Sequence, residues 1–185
     1  MKKMITMMTM GLMGLIQAAE LPIDKDHTSV SFRIQHMMVS RVTGTFTEFD
    51  GTIMVEDEEL KGVKGEVQVS SIDTGNERRD NHLRSDDFFD ADAHSVMKLE
   101  SVRMENGKLI ANLTIKGNTH EVAFDYDFNG PRVDPWGNTR YGLTLRGEIN
   151  RTDFGLTWNQ ALEAGGVLVG ETVHIEISAG AIAGE

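Results

Sequence analysis

Six histidines and many acidic residues are the side chains of this 185-residue sequence that could perform acid–base or metal chemistry. Clustered histidines would indicate proton transfer or metal binding. The histidines are instead scattered without metal-ligand spacing, at His27, His36, His82, His94, His120 and His174. The sequence contains no His-Glu-x-x-His, no Gly-x-Ser-x-Gly and no phosphate-binding loop. It therefore predicts a protein that is not an enzyme and that uses no metal or cofactor.

Four polar side chains are candidates for contacting the head group of a bound molecule. His36 shares the apolar parity of a predicted strand, whereas Arg79, Asp80 and His82 belong to a predicted helical segment. A histidine on an apolar face is also compatible with a core position whose hydrogen bonds are satisfied. Arg79 and Asp80 could likewise pair with each other and only fix the helical segment. Both interpretations stay open at this point.

Alternation of apolar and polar residues predicts that most of the chain forms β-strands. Val30, Phe32 and Ile34 share one parity, which is typical of a half-buried strand. Eight strands are predicted, within residues 30–38, 46–55, 63–69, 97–104, 109–115, 122–128, 143–149 and 173–177. A parity shift predicts a bulge or a bend at Asp50-Gly51. Asn106-Gly107 predicts a tight hairpin.

Eight such strands favour a closed antiparallel barrel, because closure removes exposed sheet edges. The interior of an eight-stranded barrel is filled by side chains or holds one small ligand. Residues 76–89 and 151–166 interrupt the β pattern and are predicted to be one or two short helical lids, or simple crossover connections. Thr74 or Asn76 is predicted to cap the first of them. The smallest inward residue of the fifth strand, Ala111, is expected to leave open space beside it.

The N-terminus has the layout of a secretory signal peptide. Met1-Lys2-Lys3 precedes a charge-free stretch over residues 4–16, which is shorter than the roughly 20 residues of a membrane-spanning helix. Cleavage after Ala19 would leave one domain, residues 20–185, and would change the formal net charge from −11 to −13. Such acidity argues against nucleic-acid binding. The absence of cysteine excludes disulfides and thiol catalysis. A soluble periplasmic protein is therefore expected.

Four sequence blocks in order resemble the YceI-like family of periplasmic proteins. They are Asp24-Lys25-Asp26-His27-Thr28 with Val30, Phe32, His36, Gly44-Thr45-Phe46 and Gly51; Arg79-Asp80-Asn81-His82-Leu83 with Phe88-Phe89-Asp90; Leu113-Thr114-Ile115-Lys116-Gly117-Asn118-Thr119; and Arg151-Thr152-Asp153-Phe154-Gly155-Leu156 with Val169-Gly170 and Val173. The resemblance spans residues 22–182. Thr28 stands where the family usually has serine, and Ala93-His94-Ser95 replaces a segment that usually contains tyrosine and proline.

The resemblance implies an all-β, eight-stranded antiparallel lipocalin-like barrel that holds a polyisoprenoid, an isoprenoid quinone or a similar long amphiphile. Inward parity and the resemblance together give a predicted ligand-binding set. It comprises Phe32, Ile34, His36, Phe46, Arg79, Asp80, His82, Leu83, Phe88, Phe89, Ala111, Leu113, Ile115, Phe124, Tyr126, Leu143, Leu145, Phe154 and Trp158. The alternative is a periplasmic metal- or partner-binding module without lipid. A homodimer, and transient contacts with membranes or quinone-using cytochrome proteins, are left open.

Overall fold

Ten antiparallel strands and one α-helix form most of the part of the chain that this computed structural model describes, residues 18–163 and 165–183. The strands are β1 (Ala19–His36), β2 (Ser40–Phe46), β3 (Phe49–Glu56), β4 (Glu59–Gln68), β5 (Ile72–Asp73), β6 (Val96–Glu105), β7 (Lys108–Ile115), β8 (Asn118–Val133), β9 (Thr139–Asn150) and β10 (Val169–Ala183). The helix is α1 (Glu77–Arg84), and 3-10 turns cover Val69–Ser71 and Arg151–Phe154. Most of the predicted signal peptide lies outside the described residues.

Eight of these strands close into an antiparallel barrel, as the sequence predicts. Neighbouring strands pair in the order β10, β9, β8, β7, β6, β4, β3 and β1, and β1 pairs with β10 to complete the ring. Short β2 pairs with the C-terminal half of β1, and the two-residue β5 pairs with β2. Tight turns join β3–β4, β6–β7 and β7–β8, and the predicted Asn106–Gly107 turn has left-handed backbone at both residues.

The structure corrects the predicted bounds of the first two strands. β1 begins at Ala19, well before the apolar alternation that revealed it. The second predicted strand is interrupted at Thr47–Glu48, where Thr47 donates to the Ser71 carbonyl. The bulge expected at Asp50–Gly51 is wrong, because both residues are in regular register with β4. The β3–β4 register instead shifts between Met54 and Val55.

The first interruption of the β pattern is a helix, and the second is mostly irregular. Asn76 caps α1, because its side-chain oxygen accepts a hydrogen bond from the Arg79 amide at 3.1 Å. Within residues 151–163 and 165–166, the structure has the 3-10 turn Arg151–Phe154 and an isolated β-bridge from Ala161 to Val167. Both segments lie at the same end of the barrel, where Trp158 of the second contacts His82 of the first.

Candidate functional site: an apolar cavity in the barrel

The barrel encloses a cavity of about 190 Å³ whose wall is almost wholly apolar. Alternation along the strands builds this wall, because every second side chain of a strand points to the interior. Ile175 and Ile177 of β10, Val30 and Phe32 of β1, and Leu99 of β6 are among the residues that border it. Cavity walls of this kind can hold an apolar chain but cannot pair with charges.

Open space is confined to part of the barrel interior. Leu109 and Ala111 of β7 and Phe124 of β8 are completely buried, yet none of them borders the cavity. Inward side chains of β1 and β10, such as Phe32 and Ile175, border the cavity and are only half-buried. The interior is therefore solidly packed around Leu109, Ala111 and Phe124, and open beside Leu113 and Ile115 of β7 and beside the inward residues of β1 and β10.

Two glycines widen the cavity on the wall formed by β3 and β4. Gly51 of β3 and Gly65 of β4 are register partners that share the inward parity of Ile53 and Val63. A Cβ atom on Gly65 would lie 3.5 Å from the Asp50 carbonyl oxygen, an ordinary contact distance. A Cβ atom on Gly51 would approach the Lys64 carbonyl oxygen to 2.8 Å, which is too close. The space beside Gly65 could accept a side chain, whereas the backbone at Gly51 could not.

Ten residues of the predicted ligand-binding set border the cavity. They are Phe32, Ile34, Phe46, Leu83, Phe88, Phe89, Leu113, Ile115, Leu143 and Leu145. They come from strands β1, β2, β7 and β9, from α1 and from the connection between α1 and β6. Their contact with a ligand stays a prediction, but their position at the cavity wall is an observation.

Four apolar members of the set lie elsewhere. Ala111, Phe124 and Phe154 belong to the packed core, so the open space expected beside Ala111 does not exist. Tyr126 is 38% exposed. The β7–β8 ladder ends at the pair Leu109–Phe124, so Tyr126 lies beyond the last partner on that side. Parity alone therefore predicted correctly which side chains point to the interior of the barrel, but not how far along the barrel axis they lie.

Trp158 and His82 contact each other outside the cavity. The rings of His82 and Trp158 are 4.8 Å apart and nearly perpendicular, and Phe88 packs against both of them. The Nε2 atom of His82 also lies 2.9 Å from a carboxylate oxygen of Asp87. Through Phe88, which borders the cavity, these side chains support its wall indirectly.

The remaining polar candidates do not reach the cavity either. His36 is half-buried at the rim, where it forms the last β1–β2 pair with Ser40. Arg79 and Asp80 form no ion pair with each other and instead meet at Thr74. The Thr74 amide donates to Asp80 at 3.0 Å, and Arg79 Nε donates to the Thr74 hydroxyl at 2.7 Å. These contacts fix the start of α1, which favours the structural interpretation of both residues.

Sequence reasoning did not single out Arg151, a buried cation at the lid end of the barrel. Its side chain is 2% exposed and donates to the backbone carbonyls of Leu156, Val169 and Gly170. Burial lowers the pKa of the Arg151 guanidinium, and the nearby charge of Glu171 opposes that shift. These hydrogen bonds hold Leu156 and the start of β10 against the 3-10 turn Arg151–Phe154. Its place at the start of the fourth sequence block was the available signal.

A cluster of ionic contacts stabilises the other end of the barrel. Arg140 donates to Asp134 at 2.7 Å and to Asp24 at 2.8 Å. The hydrogen bond from Arg140 is the main reason why the pKa of the Asp24 carboxyl lies below its usual value, and His27 at 2.8 Å adds to the effect. The cluster joins β1 to the β8–β9 hairpin.

Two kinds of feature are absent from residues 18–163 and 165–183. In this part of the chain no helix is long and apolar enough to cross a membrane. The same residues contain no group of three or more His, Cys, Asp or Glu side chains arranged to hold a metal ion.

Comparison with known proteins adds relatives and structural neighbours. A UPF0312 protein of Staphylococcus epidermidis is 43% identical over 159 residues, which cover 84% of this chain and 93% of that protein. A UPF0312 protein of Staphylococcus aureus is 42% identical over the same coverage. The solved YCEI protein of Campylobacter jejuni is 29% identical with a TM-score of 0.69, covering 88% of this chain and 97% of that one.

A polyisoprenoid-binding domain from Saccharophagus degradans has a TM-score of 0.69 at 16% identity, covering 91% of this chain and all of that one. At this identity the likeness shows a shared fold. The YceI-like domain itself matches residues 21–181, which is most of the chain. The chain therefore belongs to the YceI-like domain family.

Proposed function

We propose that this protein binds a long apolar or amphiphilic lipid, such as a polyisoprenoid or an isoprenoid quinone, in the barrel cavity. The observation that carries the proposal is the barrel cavity of about 190 Å³ with an almost wholly apolar wall. Burial of each CH₂ group of a tail contributes about 0.8 kcal/mol. The named activity of the Saccharophagus neighbour, polyisoprenoid binding, supports the same ligand class.

The size of the cavity limits the part of the ligand that it can enclose. A water-sized group needs about 10–15 Å³, so the cavity holds roughly 13 to 19 such groups without movement of its wall. A longer prenyl chain would need displaced side chains or a part that stays outside. The head group would also lie outside, because the wall offers almost no polar atoms.

The proposal includes no chemical step, since family and neighbours point to binding rather than catalysis. The charge-free N-terminal stretch supports export, and we propose that the exported protein carries its lipid for transport, storage or stress protection. Its Staphylococcus relatives come from a Gram-positive genus, so a periplasm is not common to the family.

Extraction of the protein purified from its own cells tests the proposal directly. We expect the organic extract, analysed by mass spectrometry, to contain a long-chain lipid at a stoichiometry near one per protein. The delipidated protein should then bind prenyl alcohols or fatty acids and discriminate among them by tail length. Delipidated protein that binds none of these compounds would refute the proposal, and titration with divalent metals would then test the alternative.

A further inference from the structure

The wall of the barrel is interrupted between β1 and β3. The β1–β3 ladder ends at the pair Pro22–Thr52, and the β1–β2 ladder begins only at Val30–Phe46. Residues 23–29 of β1 therefore have no ladder partner in β3, and residues 47–51 have no ladder partner in β1. Pro22 suits the end of a ladder because it has no amide hydrogen to donate.

Side chains, rather than a neighbouring strand, satisfy backbone groups along this gap. The Gly51 amide donates to its neighbour Asp50 at 2.8 Å, and the Asp26 amide donates to Asp24 at 3.2 Å. The Thr28 hydroxyl donates to the Asp24 carbonyl at 2.7 Å and accepts from the Gly180 amide at 3.2 Å. On its other side, β1 shifts register against β10 between Asp24 and Ser29. The segment is thus stable without pairing to β3.

The cavity extends to this gap. Ile23 and Thr28 of β1 border the cavity on one side of the gap, and Phe49, Asp50 and Gly51 of β3 border it on the other. The end of the barrel near the N-terminus is filled by packed side chains such as Leu109 and Phe124. The opposite end is covered by Phe88, Leu156 and the segment that Arg151 ties down. The gap is the part of the wall where neither a ladder nor a packed core separates cavity from surface.

One ion pair crosses the gap at the surface. Lys25 Nζ donates to Asp50 Oδ2 at 3.0 Å, and both side chains are exposed. Resting on the proposed function, we infer that the gap between β1 and β3 is a lateral portal through which the tail of the ligand enters and leaves, with the Lys25–Asp50 pair as its latch. The head group stays at the surface beside this pair, because the cavity behind it is apolar.

A reversible tether across the gap tests the portal. The chain has no cysteine, so the double variant Lys25→Cys/Asp50→Cys provides two unique thiols. They can be joined by a short bis-methanethiosulfonate linker, which a reductant removes. The matched control is Lys108→Cys/Asp125→Cys, which replaces an exposed Lys–Asp pair at 2.6 Å beside the continuous β7–β8 ladder. Uptake of cis-parinaric acid is followed by stopped-flow fluorescence, and release by dilution into lipid vesicles.

We expect the Lys25/Asp50 tether to slow uptake and release by at least about tenfold, because it blocks the opening of a gate. Reduction should restore both rates, and the control tether should leave them unchanged. Lys25→Ala, which keeps the backbone intact, should speed uptake by up to about fivefold, as expected for loss of an exposed ion pair. Equal rates with and without the Lys25/Asp50 tether would overturn the portal alone. Failure of the untethered protein to take up the probe would refute the proposed function and the portal together.

Discussion

Replacing Gly65 with leucine should shorten the tail that the cavity accepts without harming the fold. Gly65 lies on the inner face of β4 opposite Gly51, and a Cβ atom there makes only ordinary contacts. The new side chain would project into empty apolar space, where it gains burial instead of displacing neighbours. Glycine also weakens a strand interior, so its replacement should not destabilise β4.

The expected magnitude follows from the four carbons that leucine adds. If each displaces one tail carbon, a ligand that fills the cavity loses about 3 kcal/mol, or roughly 150-fold in affinity. Tails about four carbons shorter should bind nearly as tightly as they bind the unmodified protein. The melting temperature of the delipidated variant should be unchanged or higher.

Displacement titrations with a homologous series of fatty acids, together with melts of delipidated protein, measure both effects. Gly142→Leu is the control, because Gly142 lies on the outer face of β9, where a Cβ atom would have no heavy atom within 4 Å. It should leave the preferred tail length unchanged. A destabilisation of more than about 1 kcal/mol in Gly65→Leu would mean that the space is already packed, as in overfilled cores. Unchanged chain-length preference would mean that the ligand lies elsewhere.

Three further substitutions test the packed side and the ionic contacts. Ala111→Phe should cost about 1–3 kcal/mol in urea unfolding because the site is full, whereas Asn112→Phe on the outer face should cost little. Asp80→Ala should cost about 1–3 kcal/mol, because it removes a buried acceptor and leaves the half-buried Thr74 amide without its partner. Arg140→Met should lower the melting temperature at pH 7. The stabilisation of Asp24 by Arg140 is present above the ordinary carboxyl pKa of 3.8 and is lost as the pH falls through the lowered pKa. The difference should therefore narrow in acid, while the contact of Arg140 with Asp134, whose pKa is lowered further, keeps part of it. A difference independent of pH would contradict that account.

The sequence predicted the strands and their inward faces because alternation is a local property. Leu113, Ile115, Leu143 and Leu145 could be assigned to the interior from period two alone, and the structure places all of them at the cavity wall. The position of a residue along the barrel axis is not a local property of the sequence. Tyr126 shares the parity of Phe124, yet its exposure depends on where the neighbouring strand ends.

The sequence also did not predict where the cavity lies, because this depends on the register between strands that are distant in the sequence. Gly51 and Gly65 widen the cavity because they are paired, and no single-strand pattern shows that pairing. The polar residues near α1 were correctly recognised as a group, but their geometry is set by Thr74, which the sequence suggested only as a cap. The residue types showed that these side chains are polar, but they did not show which groups the side chains contact.

The empty half of the barrel should make stability depend on ligand. Cavities formed by deletion of core side chains cost about 24 cal/mol per Å³, so 190 Å³ corresponds to about 4–5 kcal/mol. That is a large part of the 5–15 kcal/mol that typically separates folded from unfolded domains. A barrel that only had to fold would fill this space, as it does around Leu109, Ala111 and Phe124. We therefore expect delipidated protein to melt well below the loaded form, with a shift that grows with the logarithm of free ligand concentration. Scanning calorimetry at several ligand concentrations measures this shift, and equal melting temperatures would show that the tail does not occupy the cavity.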